Sequence, residues 1–338
     1  MEGPEKLRRL AIMGAGSWGT ALAIVLAPRF DEVRLWVREA DLAERLRTTG
    51  ENDLYLPGFR LPANVRVTTE IAEALDGVQI VVGAMPSHAA RALWQQMLPH
   101  LAPSMALVSA TKGLECETLL RISEVIEQVV SEKFPPQVAV LSGPSFAREV
   151  ARGDPTALAV ASRSEDLAAR VQAAFSGPAL RLYRNADVIG VELGAALKNV
   201  IAIGAGICHG LGLGGNTVAA LVTRGLAEIT RLAVAMGAKP STLAGLAGLG
   251  DLVLTCTGQL SRNRSLGIEL ARGRSLPEIL ARMKMVAEGV NTCRAALELA
   301  SRHRVELPIC QQVHAVLFEG IAPREAVRAL MERSLKGE

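Results

Sequence analysis

The chain has 338 residues, a formal net charge of +3, 49% hydrophobic residues, 21% charged residues and only 3% aromatics. These are globular values that exclude wholesale disorder, and the length exceeds what one ordinary core holds, which points to two domains. With no long basic block and few aromatic side chains, a nucleic acid would find neither an electrostatic footprint nor a stacking platform.

The charged start, Met1 to Arg9, lacks the apolar core of a secretion signal. Leu10-Ala11-Ile12-Met13 then reads as a short strand that runs into Gly14-Ala15-Gly16-Ser17-Trp18-Gly19. An Ala/Leu/Ile-rich helical pattern follows from Thr20 to Ala27. Strand, glycine turn and helix give the G-x-G-x-x-G motif its proper setting. Gly14 would allow the tight turn, Gly16 would let the backbone approach a pyrophosphate, and Gly19 would let helix and strand pack closely. The anion would sit on the helix N-terminus, where unpaired N–H groups face it. The bland alternative is a strand-to-helix turn that merely needs glycines.

Glu32 to Val37 reads as the second strand, with Arg38 and Glu39 just beyond it. A cation there suits the 2′-phosphate of NADP, and a carboxylate suits the ribose of NAD. NADP is the favoured cofactor and NAD stays admissible; a solvated surface arginine is the competing reading of Arg38. Further strands are expected at Val65 to Thr68, Gln79 to Ala84, Ala106 to Ala110, Gln137 to Leu141, Ala157 to Ala161 and Leu180 to Tyr183. Helical patterns at His88 to Leu98, Thr118 to Ser131 and Glu165 to Phe175 intervene. Continuously apolar runs such as Ile80-Val81-Val82 suit strands covered on both faces. The pattern predicts an α/β, doubly wound, Rossmann-like dinucleotide-binding domain over 1–187.

An all-helical C-terminal domain is expected over 188–338. Its helices are Val188 to Cys208, Thr217 to Met236, Ser261 to Arg272, Glu288 to His303 and Pro323 to Arg333, with helical character continuing to Lys336. Gly237, Gly273 and Gly320 read as helix stops. No run of 18 apolar residues occurs, so no membrane span is expected. The five cysteines are scattered with no C-x-x-C, and no H-E-x-x-H occurs, so neither a disulfide framework nor a metal site is expected. A soluble, cytoplasmic protein follows as the expectation.

Three loops at strand ends are chemically loaded: Met85-Pro86-Ser87-His88, Thr111-Lys112-Gly113 and Ser142-Gly143-Pro144-Ser145. Each offers N–H groups, a hydroxyl or a cation where a substrate would meet a bound dinucleotide. Ser87 and Ser145 also read as helix caps, and Lys112 as a turn lysine. In the helical half, Lys198 and Asn199 form a polar pair among glycines and apolar residues. Burial removes hydration from a lysine and moves it toward general acid/base work near pH 7. A second cation such as Lys112 would add to this, whereas a snorkelling lysine would do neither. Asp251, in Gly248-Leu249-Gly250-Asp251-Leu252, could orient Lys198, bind a substrate hydroxyl or cap a helix. Ser261-Arg262-Asn263-Arg264 opens a helix and makes an anion site suited to phosphate; capping plus surface charge is the alternative.

These residues resemble the NAD(P)-dependent sn-glycerol-3-phosphate dehydrogenases of the bacterial type. The resemblance runs from about residue 8 to 330 through Gly14–Ala21, Pro86–His88, Ala110–Glu115, Ser142–Ala147, Leu197–Gly206, Thr223–Glu228, Gly248–Leu252, Ser261–Arg264 and Val286–Gly289. It implies reversible reduction of dihydroxyacetone phosphate to sn-glycerol 3-phosphate for phospholipid synthesis. By position it implies Lys198 as the proton acceptor or donor. It also implies substrate contacts from Lys112, Gly143, Ser145, Asp251, Ser261, Arg262 and Asn263. Cofactor contacts are implied for Ser17, Trp18, Arg38, Lys112, Ala147, Arg262, Val286 and Glu288, beside Gly14, Gly16 and Gly19 of the turn. Asn199 and Asp251 are expected to position Lys198. A homodimer is expected from the apolar helical domain. The rival readings are a two-domain hydroxy-acid dehydrogenase, which needs a carboxylate anchor, and a non-catalytic dinucleotide sensor. A glycine-rich methyltransferase is disfavoured by the helical second domain.

Overall fold

The computed structural model describes residues 8–283 and 286–335. The chain forms two compact units. The first runs to Lys112 and resumes over Leu120–Val188; the second joins Gly113–Leu119 to the chain from Ile189. A single cut at 187 leaves out this excursion, in which Leu114 and Leu119 are buried in the core of the helical unit.

The first unit is built on one eight-stranded sheet. Its strands are β1 (Arg9–Met13), β2 (Glu32–Trp36), β3 (Val65–Thr68), β4 (Ile80–Gly83), β5 (Ala106–Ser109), β6 (Val138–Ser142), β7 (Thr156–Ser162) and β8 (Leu180–Asn185). Their order is β3-β2-β1-β4-β5-β6-β7-β8. Strand periodicity sorts the side chains to two faces. Leu10 and Ile12 pack with Val33, Leu35, Ile80 and Val82 on one side. Ala11 and Met13 pack with Trp36, Val81 and Leu107 on the other. Helices α1 (Ser17–Leu26), α2 (Ala40–Thr49) and α7 (Glu165–Phe175) supply Leu22, Leu42 and Val171 to the first face. Helices α3 (Ile71–Leu75), α4 (Ala90–Met97) and α5 (Ile122–Val130) supply Leu75, Trp94 and Ile126 to the second. Each fully buried Leu or Ile contributes about 1.5–3 kcal/mol.

β1 is flanked by β2 and β4, both parallel to it, so the strand order reverses at β1 and opens a crevice beyond its carboxyl end. Parallel pairing continues through β6, but β7 runs antiparallel to it. The connection after β6 holds only the six-residue helix α6 (Ala147–Arg152). A six-residue helix rises only about 9 Å, short of the roughly 17 Å that a five-residue strand spans, so it does not carry the chain back and β7 returns from the end where β6 stopped.

The second unit is helical among its described residues. It comprises α8 (Val188–Gly210), α9 (Gly215–Ala235), α10 (Pro240–Leu243), α11 (Asp251–Thr257), α12 (Arg262–Ala271), α13 (Leu276–Arg282), α14 (Glu288–His303), α15 (Pro308–Phe318) and α16 (Pro323–Met331). Leu193, Leu197 and Ile201 of α8 share one core with Ile229 and Leu232 of α9, Ala296 of α14 and Val313 of α15. Gly237, Gly273 and Gly320 stand at φ +98°, +87° and +73°, where helices stop and L side chains strain. The last described helix ends at Met331, and Lys336 lies outside the described residues. α8 is long and apolar enough to cross a membrane by length and composition alone, a test that a buried core helix also passes. Isolated polar residues such as Lys198 interrupt it without lowering its mean hydropathy below 1.6, and 94% of its most apolar window is buried.

Candidate active site

In the first unit, Gly14 takes φ +123°, and a Cβ there would lie 2.8 Å from the carbonyl oxygen of Ala84, at the end of β4. A Cβ on Gly19 would collide with the Gly14 carbonyl oxygen, so this glycine seats the helix on the turn. A Cβ on Gly16 would meet nothing within 4 Å. That open side is where a pyrophosphate can approach the backbone. α1 begins at Ser17 rather than Thr20, with no capping side chain at Gly16 and no acid in its first turn. The first N–H groups of the helix therefore have no intrahelical partner and favour an anion. Asn52, fully buried, donates from Nδ2 to the Ala15 carbonyl (2.8 Å) and to Thr20 Oγ1 (2.8 Å), which pins the turn from the far side. Trp18 packs in one cluster with Phe59 and with Ala147 of α6. The turn, Trp18 and Ala147 thus fit a dinucleotide.

Arg38 is exposed beyond β2 and pairs with Glu39, Nη2 to Oε1 at 2.6 Å. The two residues that point to different cofactors are in contact with each other. Lys112, beyond β5, donates from Nζ to the Gly143 carbonyl (2.9 Å) and to Ser145 Oγ (3.2 Å). Ser145 Oγ also donates to that carbonyl at 2.9 Å. The N-cap of α6 is Phe146, so Ser145 does not cap it. Gly143 takes φ +139°, and a Cβ there would press on Leu158. Thr111 Oγ1 donates to the Met85 carbonyl at 2.8 Å and ties the β5 loop to the β4 loop. The three loaded loops are therefore one hydrogen-bonded group at the carboxyl ends of adjacent strands.

The helical unit brings together residues far apart in sequence. Lys198 of α8 is 5% exposed and Asp251 of α11 is 1% exposed. Lys198 Nζ lies 2.5 Å from Asp251 Oδ1 and donates to Thr255 Oγ1 at 2.9 Å. Thr255 Oγ1 in turn donates to the Asp251 carbonyl at 2.6 Å. Lys198 does not snorkel. Burial disfavours its ammonium form, while the adjacent carboxylate favours it. Asp251 is not a helix cap, because Leu246–Gly250 form a turn of π-helix that runs directly into α11. Thr255 is missed by the sequence reading; its i+4 spacing from Asp251 was the available signal.

Asn199 does not hydrogen-bond Lys198. One residue further along α8 it faces elsewhere, and its Oδ1 accepts from Asn263 Nδ2 at 3.0 Å. Asn263 Oδ1 accepts the Gly289 N–H at 3.0 Å. Asn199 therefore holds the N-terminal turns of α12 and α14 rather than the lysine. Ser261 caps α12, its Oγ accepting the Arg264 N–H at 3.2 Å. Arg262 donates to the Val286 carbonyl at 2.9 Å. Surrounding protein pushes its guanidinium down from the ordinary value and Glu288 opposes this; arginine stays charged regardless. Ser261, Arg262, Asn263, Val286 and Glu288 are thus one neighbourhood, with a fork-shaped cation and an α-helix N-terminus suited to phosphate.

The N-terminal region of NAD-dependent glycerol-3-phosphate dehydrogenases matches residues 9–168, and the C-terminal region matches 187–328. The glycerol-3-phosphate dehydrogenase [NAD(P)+] of Koribacter versatilis is 58% identical over 329 residues, 97% of this chain and 98% of that protein. That of Myxococcus xanthus is 52% identical over 330 residues, 98% of each. The crystal structure of the Coxiella burnetii glycerol-3-phosphate dehydrogenase superposes with a TM-score of 0.93 at 40% identity, covering 97% of this chain and 99% of that one. The chain is an oxidoreductase with an NAD(P)-binding domain, and it belongs to the NAD(P)-dependent glycerol-3-phosphate dehydrogenase family.

Proposed function

We propose that this chain catalyses the reversible reduction of dihydroxyacetone phosphate to sn-glycerol 3-phosphate, supplying phospholipid synthesis, with Lys198 as the proton donor. The observation that carries the assignment of Lys198 is its buried contact with Asp251 and Thr255. A bound NAD(P)H supplies the hydride. Lys198 holds a proton for the substrate oxygen that becomes an alkoxide, and in the reverse direction it accepts that proton. Asp251 and Thr255 aim the ammonium, so the donor is oriented before substrate arrives. Arg262 and the N-terminus of α12 hold the phosphate, with Ser261 and Asn263 beside them. Binding energy far from the carbonyl is then used to orient it. Within the nucleotide-binding unit, the hydrogen-bonded group of Lys112, Gly143 and Ser145 is read as a set of substrate-binding residues. A hydroxy-acid dehydrogenase or a dinucleotide sensor would not need both the buried lysine pair and a phosphate-suited helix end.

NADPH is the favoured cofactor, supported by Arg38 beyond β2 and tempered by its pairing with Glu39. A homodimer is part of this reading, supported by the exposed Leu249, Val253 and Leu260 on the helical unit. So is a cytoplasmic location, supported by five cysteines that form no disulfide.

Purified protein with NADPH or NADH in parallel, followed at the nicotinamide absorbance, tests the reading. Oxidation with dihydroxyacetone phosphate and little with unphosphorylated dihydroxyacetone is expected. Equal rates with both ketones would refute the phosphate anchor, and a flat trace with both would refute the activity.

A further inference from the structure

We infer that Gly194 is a positioning residue for catalysis: its missing side chain sets the distance between Lys198 and Asp251. The inference deepens the proposed role of Lys198 and rests on it.

Gly194 lies one turn before Lys198 on α8, and Ala247 lies four residues before Asp251. The two elements touch at both levels. A Cβ at 194 would lie 2.6 Å from the Ala247 carbonyl oxygen, 3.2 Å from its carbonyl carbon and 3.3 Å from Gly248 Cα. All three are backbone atoms, which cannot turn aside as a side chain does. On the far side of the same turn, a Cβ on Gly248 would collide with the Leu243 carbonyl of α10. The Ala247–Gly248 peptide is therefore held between α8 and α10 with no side chain at either glycine. One turn further on, the same pair of elements meets through the 2.5 Å ammonium–carboxylate contact.

Helix propensity argues against glycine here, since alanine at an interior helical position is more stable by about 1 kcal/mol. The π turn adds to the case. Leu246–Gly250 carry an irregular backbone that places Asp251 inside a continuing helix rather than at its start. Such irregular turns recur where a helix aims a functional side chain. Its position depends on what grips it, and the grip is Gly194 on one side and Leu243 on the other.

Gly194→Ala must push the turn back until the 2.6 Å approach exceeds 3.0 Å. Asp251 moves with it, and the lysine loses its tight partner. Displacements below an ångström at a reacting group lower turnover about ten- to a hundredfold. The test compares Gly194→Ala with Gly225→Ala on α9. A Cβ at 225 would meet the side chain of Ile201 at 2.6 Å, so this change presses on α8 as closely, but on a side chain near Lys198 and not on the backbone that carries Asp251. For Gly194→Ala we expect kcat to fall at least about tenfold, with the NADPH dissociation constant within twofold. The basic limb of its kcat–pH profile should move to lower pH. Gly225→Ala should keep both kcat and profile.

Should Gly194→Ala not fold, Ala247→Gly perturbs the same turn without any clash. It frees the turn beside Gly248, and the same loss of kcat and the same shift of profile are expected, in smaller measure. An unshifted profile in whichever of the two variants folds, or equal losses in Gly194→Ala and Gly225→Ala, would overturn the inference. Lys198→Met separates the two claims. Near-normal turnover there refutes Lys198 as donor, whereas an inactive Lys198→Met beside an unaffected Gly194→Ala refutes only the role of Gly194.

Discussion

Asp251→Asn keeps the volume of the buried carboxylate and removes its charge. In the native protein the pair is almost fully enclosed, at 5% and 1% exposure, with 2.5 Å between Nζ and Oδ1. Removing one member of a buried ion pair leaves the other uncompensated and costs about 3–5 kcal/mol. The asparagine oxygen still accepts a hydrogen bond, so the lower end of that range is expected. The kinetic consequence has a definite sign. Without the carboxylate, a charge that favours the ammonium form of Lys198 is gone while burial still favours the neutral amine, so the proton is lost at lower pH. The basic limb of kcat should move to lower pH, and the loss of turnover should be larger at pH 8.5 than at pH 6. The assay is kcat for dihydroxyacetone phosphate reduction from pH 5.5 to 9.5, with urea unfolding at pH 7 alongside. A profile superimposable on that of the native protein, with stability lowered by less than about 1 kcal/mol, would refute the reasoning, since a pair this buried cannot be electrostatically idle.

Glu228 gives a prediction in the opposite sense of pH. It is buried on α9 and accepts the N–H groups of Ile309 (2.7 Å) and Cys310 (3.3 Å) at the start of α15. Burial pushes its carboxyl up to about 7, against those N–H groups and Arg231. A raised carboxyl means the folded state holds the proton more tightly than the unfolded chain. Its stabilising contribution is therefore complete below about pH 4.5 and is lost as pH rises through about 7. The difference amounts to about 3 kcal/mol. Urea midpoints should fall between pH 5 and 8 in the native protein and fall less in Glu228→Gln; identical curves would refute this. Arg38→Ala should lower the preference for NADPH over NADH in kcat/KM by about tenfold or more, as loss of a charge-assisted phosphate contact does. An unchanged ratio removes Arg38 from the 2′-phosphate.

The nucleotide-binding half was legible because its physics is local. Runs such as Ile80-Val81-Val82 must be strands covered on both faces, and all eight expected strands lie in the sheet. Gly14, Gly16 and Gly19 each do a different job in the turn, which spacing alone could anticipate. What sequence could not carry was partnership across distance. Asn52 pins a carbonyl 37 residues away, and nothing near it announces this. Lys198 stood out as a polar residue among small ones, but its geometry depends on a π turn that has no periodic signature. Asn199 was grouped with Lys198 by adjacency, yet neighbours on a helix face different ways, and it holds α12 instead. Helix α2 was passed over because its apolar stripe is only Leu42, Ala43 and Leu46 in a polar segment. The excursion Gly113–Leu119 was hidden for a similar reason: Leu114 and Leu119 read as ordinary loop residues until the core that takes them is seen.

The most direct test of the account is Lys198→Met, which keeps an unbranched side chain one heavy atom shorter and removes the proton-bearing amine. Measured at pH 7 with saturating NADPH and dihydroxyacetone phosphate, kcat should fall by about 10²–10⁴, while NADPH binding followed by fluorescence stays within about twofold, because Lys198 is given no part in holding the cofactor. Turnover within about threefold of the native value would mean that the proton comes from elsewhere.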